Sequence, residues 1–325
     1  MRIGLLGLGF MGGAHLSAIE SLANVTLTAI SSRTQPTPSQ PLRGDLPHQK
    51  TGALPADARW YGDWRQLISD PEVDAVDICL PTHLHKEVAL SAFAQGKHVL
   101  CEKPMALTFA DCEEMLDAAA ESGRVFMVAH VLRFVSSYRY AASFLVSTLH
   151  GSVLSCTMQR KTGYPKWGEW LGREECSGGA ILDLLIHDID QALKLFGKPD
   201  TVRAISDGEI DTMRGHLRYS NGLEVGLVGG WYEAGRPFSA GFEIYGNGAE
   251  LKLEAGKLRL IASGKDQLVE TPAEEEYTEQ MRYFIECCEK QIAPELCPPA
   301  ESAEAVRIAN LLRASRDGNG KELSC

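Results

Sequence analysis

The chain has 325 residues, 44% of them hydrophobic and 23% charged, proportions that exclude a disordered or fibrous protein and leave room for two packed domains. Its formal charge of -11 excludes a nucleic-acid or anionic-membrane partner, because such binding needs clustered Lys and Arg to displace counterions. The nine cysteines are scattered with no CxxC pair, so reduced, mostly buried thiols are expected and no metal site.

The first residues run straight into a strand pattern with no apolar leader, and no stretch approaches the roughly 18 apolar residues of a membrane span. A cytoplasmic location is expected. From residue 2 to about 128, short apolar runs (3–6, 25–30, 75–80, 99–101 and 125–128) alternate with stretches of helical spacing (14–22, 84–94 and 109–120). Gly96 and Gly123 stand where helices would stop. This alternation predicts an α/β, doubly wound parallel sheet over residues 1–128. Residues 34–58 hold Pro36, Pro38, Pro41, Pro47 and Pro55, too many for a regular helix, and predict a long loop.

Beyond residue 129 the rhythm changes. One helical stretch, 180–195, precedes alternating segments with turn signals at Ser220-Asn221-Gly222 and Gly246-Asn247-Gly248, which predict an α+β domain on a mostly antiparallel sheet over residues 129–325. Two helical patterns, 277–290 and 300–315, close the chain around the breaker Pro298-Pro299.

Gly7-Leu8-Gly9-Phe10-Met11-Gly12 directly follows the first strand and opens the first helix, the setting in which GxGxxG holds a dinucleotide pyrophosphate on a helix N-terminus. The end of the second strand, where a carboxylate would accept from an NAD ribose, reads Ser31-Ser32-Arg33. Hydroxyls and a guanidinium there favour the 2′-phosphate of NADP over NAD, with Ser32 and Arg33 as its contacts; Arg33 stacking on adenine or pointing to solvent is the alternative.

Pro81, Thr82, His83 and His85 follow the strand at 75–80 and so lie at the carboxyl edge of the sheet, where ligands of such folds bind. They are candidates to line the cofactor; capping of the next helix by Thr82 or His83 is the alternative. Glu102-Lys103-Pro104 closes the next strand, and Pro104 holds Lys103 out of the helical region. There the lysine is placed to polarise a substrate oxygen. In Ser177-Gly178-Gly179-Ala180-Ile181-Leu182-Asp183-Leu184-Leu185-Ile186-His187-Asp188-Ile189-Asp190, α-helical spacing puts Asp183, His187 and Asp190 within an arc of roughly 60°. Asp183 would orient His187, a proton acceptor for a substrate hydroxyl; a purely structural pair is the alternative.

These segments together resemble the Gfo/Idh/MocA oxidoreductases, the group that includes glucose-fructose oxidoreductase and inositol 2-dehydrogenase. The match runs from GLGFMG through PTHLH and CEKP to SGGAILDLLIHDID and the late sheet. The resemblance implies that Lys103, Asp183 and His187 form the catalytic set, that Gly7, Gly9 and Gly12 hold pyrophosphate, and that Glu102 and Lys103 lie by the nicotinamide. It implies hydride transfer between NADP or NAD and a secondary hydroxyl or carbonyl of a sugar, cyclitol or related polyol. It further implies homodimers or homotetramers through the C-terminal sheet, with the last helix packing back on the Rossmann domain. Trp167 and Trp170 are candidates for a sugar-facing pocket wall or for core tryptophans, and Arg160 and Lys161 are further pocket candidates.

Two departures from the family pattern stand out: the Pro-rich stretch after the second strand, and His130-Val131-Leu132-Arg133 where many members carry Asn. The alternatives are a non-enzymatic dinucleotide sensor, which has no reason to keep Lys103, Asp183 and His187 together, and an NAD-dependent glycosidase of the same family, which would show no net change in reduced cofactor.

Overall fold

The computed structural model describes residues 1–36, 55, 57–147, 149–166, 168–208, 210–273 and 275–325. The chain divides into two compact units, Met1–Phe134 with Glu275–Ala303, and Val135–Glu274 with Glu304–Cys325. The Pro-rich stretch falls almost wholly outside the described residues, as does Trp167.

The first unit opens with β1 (Arg2–Leu6), α1 (Phe10–Glu20), β2 (Thr26–Ser31), β3 (Arg59–Tyr61), α2 (Trp64–Ile68) and β4 (Ala75–Ile78). A 3₁₀ turn (Thr82–Leu84), α3 (His85–Ala94), β5 (His98–Cys101), α4 (Phe109–Ser122), β6 (Phe126–Val128) and a second 3₁₀ turn (Val131–Arg133) follow. Among the described residues the six strands are ordered β3-β2-β1-β4-β5-β6, and every pairing is parallel. A parallel sheet covered on both faces needs near-continuous apolar strands, and β4 and β5 are buried at every position. The polar exceptions are Asp77, wholly buried in β4, and His98, which opens β5. Strand order reverses between β1 and β4, which makes the crevice beyond their carboxyl ends the ligand position of this fold.

The second unit begins with α5 (Ser136–Val146), β7 (Val153–Gly163) and the short α6 (Glu174–Ser177), followed by a π-helical turn (Ile181–Leu185) that runs into α7 (Ile186–Phe196). Then come β8 (Thr201–Ile205), β9 (Thr212–Arg218), β10 (Glu224–Tyr232), β11 (Ser239–Gly246), β12 (Ala249–Glu254), β13 (Lys257–Ala262) and β14 (Lys265–Val269). The chain closes with α8 (Glu276–Lys290), α9 (Pro299–Asp317) and β15 (Leu323–Ser324). The second sheet runs β14-β13-β12-β11-β7-β10-β9-β8-β15. Among the described residues it is antiparallel except that β7 and β10 pair in parallel.

The division differs from the expected one. The break follows Phe134 rather than residue 128, and it is the penultimate helix that joins the first unit. The reason is the apolar stripe of α8: Met281, Phe284, Ile285 and Cys288 share one core with Leu16 and Ile19 of α1. Most of α9 belongs to the second unit, where the Ala204 amide donates to the buried Ser315 hydroxyl at 2.9 Å.

Candidate functional site

The glycine loop has the geometry a pyrophosphate requires. Gly7 adopts φ +98, and a Cβ there would stand 2.3 Å from the Cys79 carbonyl oxygen; a Cβ on Gly12 would stand 2.1 Å from the Gly7 carbonyl oxygen. Those two glycines are therefore required by the fold itself. Gly9 differs: nothing lies within 4 Å of where its Cβ would be, so a side chain there would occupy the space in front of the N-terminus of α1. That N-terminus carries no side-chain cap and no acidic residue in its first turn, and Phe10 and Met11 in that turn are partly exposed. Uncapped N–H groups at the positive end of a helix, facing open space, fit an anionic pyrophosphate.

At the end of β2, Arg33 is exposed. Ser32 is committed locally: its hydroxyl donates to the Thr34 carbonyl at 2.8 Å and accepts from Trp60 Nε1 at 3.2 Å. No carboxylate occupies Ser31, Ser32 or Arg33.

The carboxyl ends of β4 and β5 carry the next candidates. Pro81 and exposed His83 flank buried Thr82 in the first 3₁₀ turn, and neither Thr82 nor His83 caps α3, whose N-cap Leu84 makes no side-chain cap bond. His85 departs from the expected cofactor contact. It is buried, with Nδ1 2.9 Å from the Pro104 carbonyl and Nε2 2.8 Å from the Leu80 carbonyl, and so ties together the loops that follow β4 and β5. Burial pushes its imidazole below the ordinary value against the pull of those carbonyls. Lys103 is half-buried and precedes Pro104 through a cis peptide bond. Its amide N–H donates to Glu102 Oε2 at 3.1 Å.

In the second unit, Gly178 and Gly179 both take positive φ (+76 and +73), turning the chain between α6 and the helix that carries Asp183 and His187. A Cβ on Gly179 would collide with the Asp211 carboxylate, which accepts the Ala180 N–H at 2.6 Å and is paired with Arg316. Asp183 lies inside the π-helical turn, not in an α-helix as its spacing predicts; such turns recur at functional sites because they rotate side chains away from α register. Asp183 and His187 are partly exposed, whereas Asp188 and Asp190 are buried. The single arc expected for Asp183, His187 and Asp190 thus splits, with Asp190 inside.

Arg160, expected as a pocket residue, is buried. Its Nε and Nη2 contact the two Asp188 oxygens at 2.9 and 3.1 Å, and Nη2 donates to the Tyr138 hydroxyl at 3.2 Å. Burial opposes the guanidinium charge, but Asp188 and Tyr138 outweigh it and raise its pKa; burial also pushes the Asp188 carboxyl upward while Arg160 pulls against it. This residue is a clamp between β7 and α7. Trp170 packs with Tyr164 and Leu184 against Leu171, Ala180 and Trp231, an apolar wall at the start of the same helix. Arg133 is likewise spent internally, with Nη1 on Glu301 at 2.6 Å and on the Leu296 carbonyl at 3.2 Å. Sequence reasoning missed Tyr164, Trp231 and Asp211, for which no local pattern exists. It also missed Asp77, whose signal was a carboxylate inside an otherwise apolar strand.

Comparisons with known proteins match part of each unit. Residues 1–130 match the family described as "Oxidoreductase family, NAD-binding Rossmann fold", and residues 138–252 match "GFO/IDH/MocA C-terminal domain". The chain belongs to the GFO/IDH/MocA oxidoreductase family. Levoglucosan dehydrogenase of Pseudarthrobacter phenanthrenivorans is 32% identical over 63% of this chain, a match that spans about half of that protein's length (53%). Myo-inositol 2-dehydrogenase of Thermotoga maritima is 26% identical over 96% of this chain and 94% of its own. Among solved structures, levoglucosan dehydrogenase in complex with NADH superposes with a TM-score of 0.83 at 21% identity, covering 100% of this chain and 98% of that one. A 3-ketoreductase from Actinomadura kijaniata in complex with NADP gives 0.82 at 20% identity, covering 97% and 98%. At those identities the likeness shows the fold. Among the described residues no helix of this family member is long and apolar enough to cross a membrane.

Proposed function

We propose that the chain is an NAD(P)-dependent dehydrogenase or reductase acting on a secondary hydroxyl or carbonyl of a sugar, cyclitol or related polyol. The observation that carries this reading is the open cradle in front of Gly9 and the uncapped α1 N-terminus, at the crevice where strand order reverses. Membership of the GFO/IDH/MocA family and the sugar- and cyclitol-named relatives support it. When bound, a nicotinamide cofactor supplies the hydride acceptor or donor. The chain's own part is to position and to move protons. His187, steadied by Asp183, takes the hydroxyl proton, and the Lys103 ammonium stabilises the charge that develops on the substrate oxygen. Thr82, His83 and Glu102 line the nicotinamide end in this reading. The likeness of the second sheet to that of the family supports a homodimer or homotetramer formed through it.

For the cofactor we favour NADP over NAD. The absence of a carboxylate among Ser31, Ser32 and Arg33 supports this, and since the Ser32 hydroxyl hydrogen is already placed on Thr34, the Arg33 guanidinium carries the reading. Fluorescence titration of cofactor-stripped protein with NADPH and NADH, followed by a screen of aldoses, keto sugars and inositols, tests both points. NADPH should bind more tightly, and Arg33→Asp should erase or reverse that preference. Lys103→Ala should lower turnover by about 10²- to 10⁴-fold with little change in cofactor affinity. Failure of both cofactors to bind would overturn the reading. Substrate conversion with no net change in reduced cofactor would replace it with the redox-neutral alternative.

A further inference from the structure

Beneath the crevice lies a buried charge cluster drawn from three elements. His15, on the inner face of α1, has Nδ1 at 3.0 and 2.9 Å from the two oxygens of Asp77 in β4. Its Nε2 is 3.1 Å from Glu102 Oε1, just beyond β5. The other Glu102 oxygen accepts the Lys103 N–H. His15, Asp77 and Glu102 are all buried. Also against the imidazole are the Cys79 thiol, 3.5 Å from Nδ1, and the Tyr277 ring of α8, 6.1 Å away and tilted.

A carboxylate buried in a parallel strand is destabilising unless it is paired. A neutral imidazole is held by its Nδ1 hydrogen bond to Asp77 alone; an imidazolium keeps that bond and also faces Glu102 as an ion pair, the 3.1 Å Nε2 contact lacking hydrogen-bond geometry. Burial opposes the charge on His15, yet the Asp77 carboxylate outweighs it and raises the imidazole well above its ordinary value. Burial would likewise raise Glu102, but the neighbouring His15 and the Lys103 charge hold it below its ordinary value. A metal could be imagined, since ligand atoms of His15, Asp77 and Cys79 lie within 4.8 Å of one another. The Nδ1 contact meets hydrogen-bond geometry and burial raises the Cys79 thiol, which favours a protonated hydrogen-bonded cluster over an ion.

We propose that His15 is a positioning residue: as an imidazolium bridging Asp77 and Glu102, it fixes the Glu102 carboxylate and, through the Lys103 amide, the direction of Lys103. The inference rests on the dehydrogenase reading for its consequence in turnover, but not for its geometry. Removing His15 leaves Glu102 with one anchor instead of two, and the segment that carries Lys103 can shift. Misplacement of a reacting group by about an ångström costs about 100-fold in rate.

The test uses the full chain with His15→Gln and Asp77→Asn. In histidine-labelled wild-type protein, one imidazole signal, absent from His15→Gln, should remain that of an imidazolium at pH 7 to 8. In Asp77→Asn the same signal should titrate nearer the ordinary histidine range. Acetylation of Lys103, followed by peptide mass spectrometry, should change in rate at least about threefold in His15→Gln, and that readout needs no substrate. With a substrate in hand, kcat should fall about 10- to 100-fold while the cofactor Kd changes less than about threefold. A neutral His15 in the wild type, an unchanged Lys103 acetylation rate, a kcat loss matched by an equal loss of cofactor affinity, or stoichiometric bound metal would each overturn the proposal. If no polyol is turned over, the dehydrogenase reading fails on its own, and the imidazole and acetylation measurements still decide the part played by His15.

Discussion

Each unit buries a charged cluster next to residues proposed for chemistry, and the two clusters are built on different arithmetic. In the second unit Arg160 meets Asp188 one to one, bidentate, with Tyr138 filling a remaining donor. The pair is electrically closed and joins β7 to α7. In the first unit one imidazole stands between two carboxylates, so its protonation state decides whether the cluster is satisfied, and one of its acids leads directly to Lys103. A closed pair is suited to holding elements together. An open chain of charges can also transmit the loss of one member to its neighbours.

The largest effect that would sharpen this contrast is Asp188→Ala. It leaves a buried guanidinium without its partner and should cost about 3–5 kcal/mol in denaturant unfolding of the full chain. A loss under about 1 kcal/mol would mean that Arg160 finds water or another acceptor, and the clamp would not be closed.

Asp77→Asn should cost less, about 1–3 kcal/mol, because His15 can release its proton and keep Glu102 as a partner. A loss as large as that of Asp188→Ala would erase the distinction between the clusters.

The pH dependence of stability should also differ. His15, raised on folding, contributes fully below the ordinary imidazole range and gives up that contribution as pH rises through its elevated value. Glu102, lowered on folding, contributes above the ordinary carboxylate range and gives it up as pH falls through its depressed value. Melting temperature should therefore decline on the alkaline side more steeply in the wild type than in His15→Gln. Equal slopes would show that the imidazole makes no such contribution.

The smallest effect on stability is expected from Gly9→Ala, which touches neither cluster and meets nothing within 4 Å. Its melting temperature without cofactor should match the wild type while dinucleotide affinity falls, whereas Gly12→Ala, facing the Gly7 carbonyl at 2.1 Å, should lose about 1–3 kcal/mol of stability. Unchanged dinucleotide binding in Gly9→Ala would remove the cradle as the pyrophosphate site.

Sequence by itself determined what is written in local period and local backbone demand. Apolar runs alternating with helical spacing specify the parallel sheet, because strand and helix periods differ and crossovers between parallel strands need a helix. The glycine loop was legible because Gly7 and Gly12 answer constraints from residues close by or next to the adjoining strand. The GG turn before Asp183 and the Glu102-Lys103-Pro104 strand end were legible for the same reason. Tertiary structure alone decided the rest. The bond from His15 to Asp77 spans 62 positions and the one from Arg160 to Asp188 spans 28, so neither leaves a periodic trace, and the second turned Arg160, expected as a pocket residue, into a buried ion partner. The π-helical turn at Ile181–Leu185 is equally invisible to an α-helical wheel, since it changes the register that the wheel assumes. The assignment of α8 to the first unit follows from what its apolar stripe packs against, and amphipathic spacing says only that a stripe exists, not which core receives it.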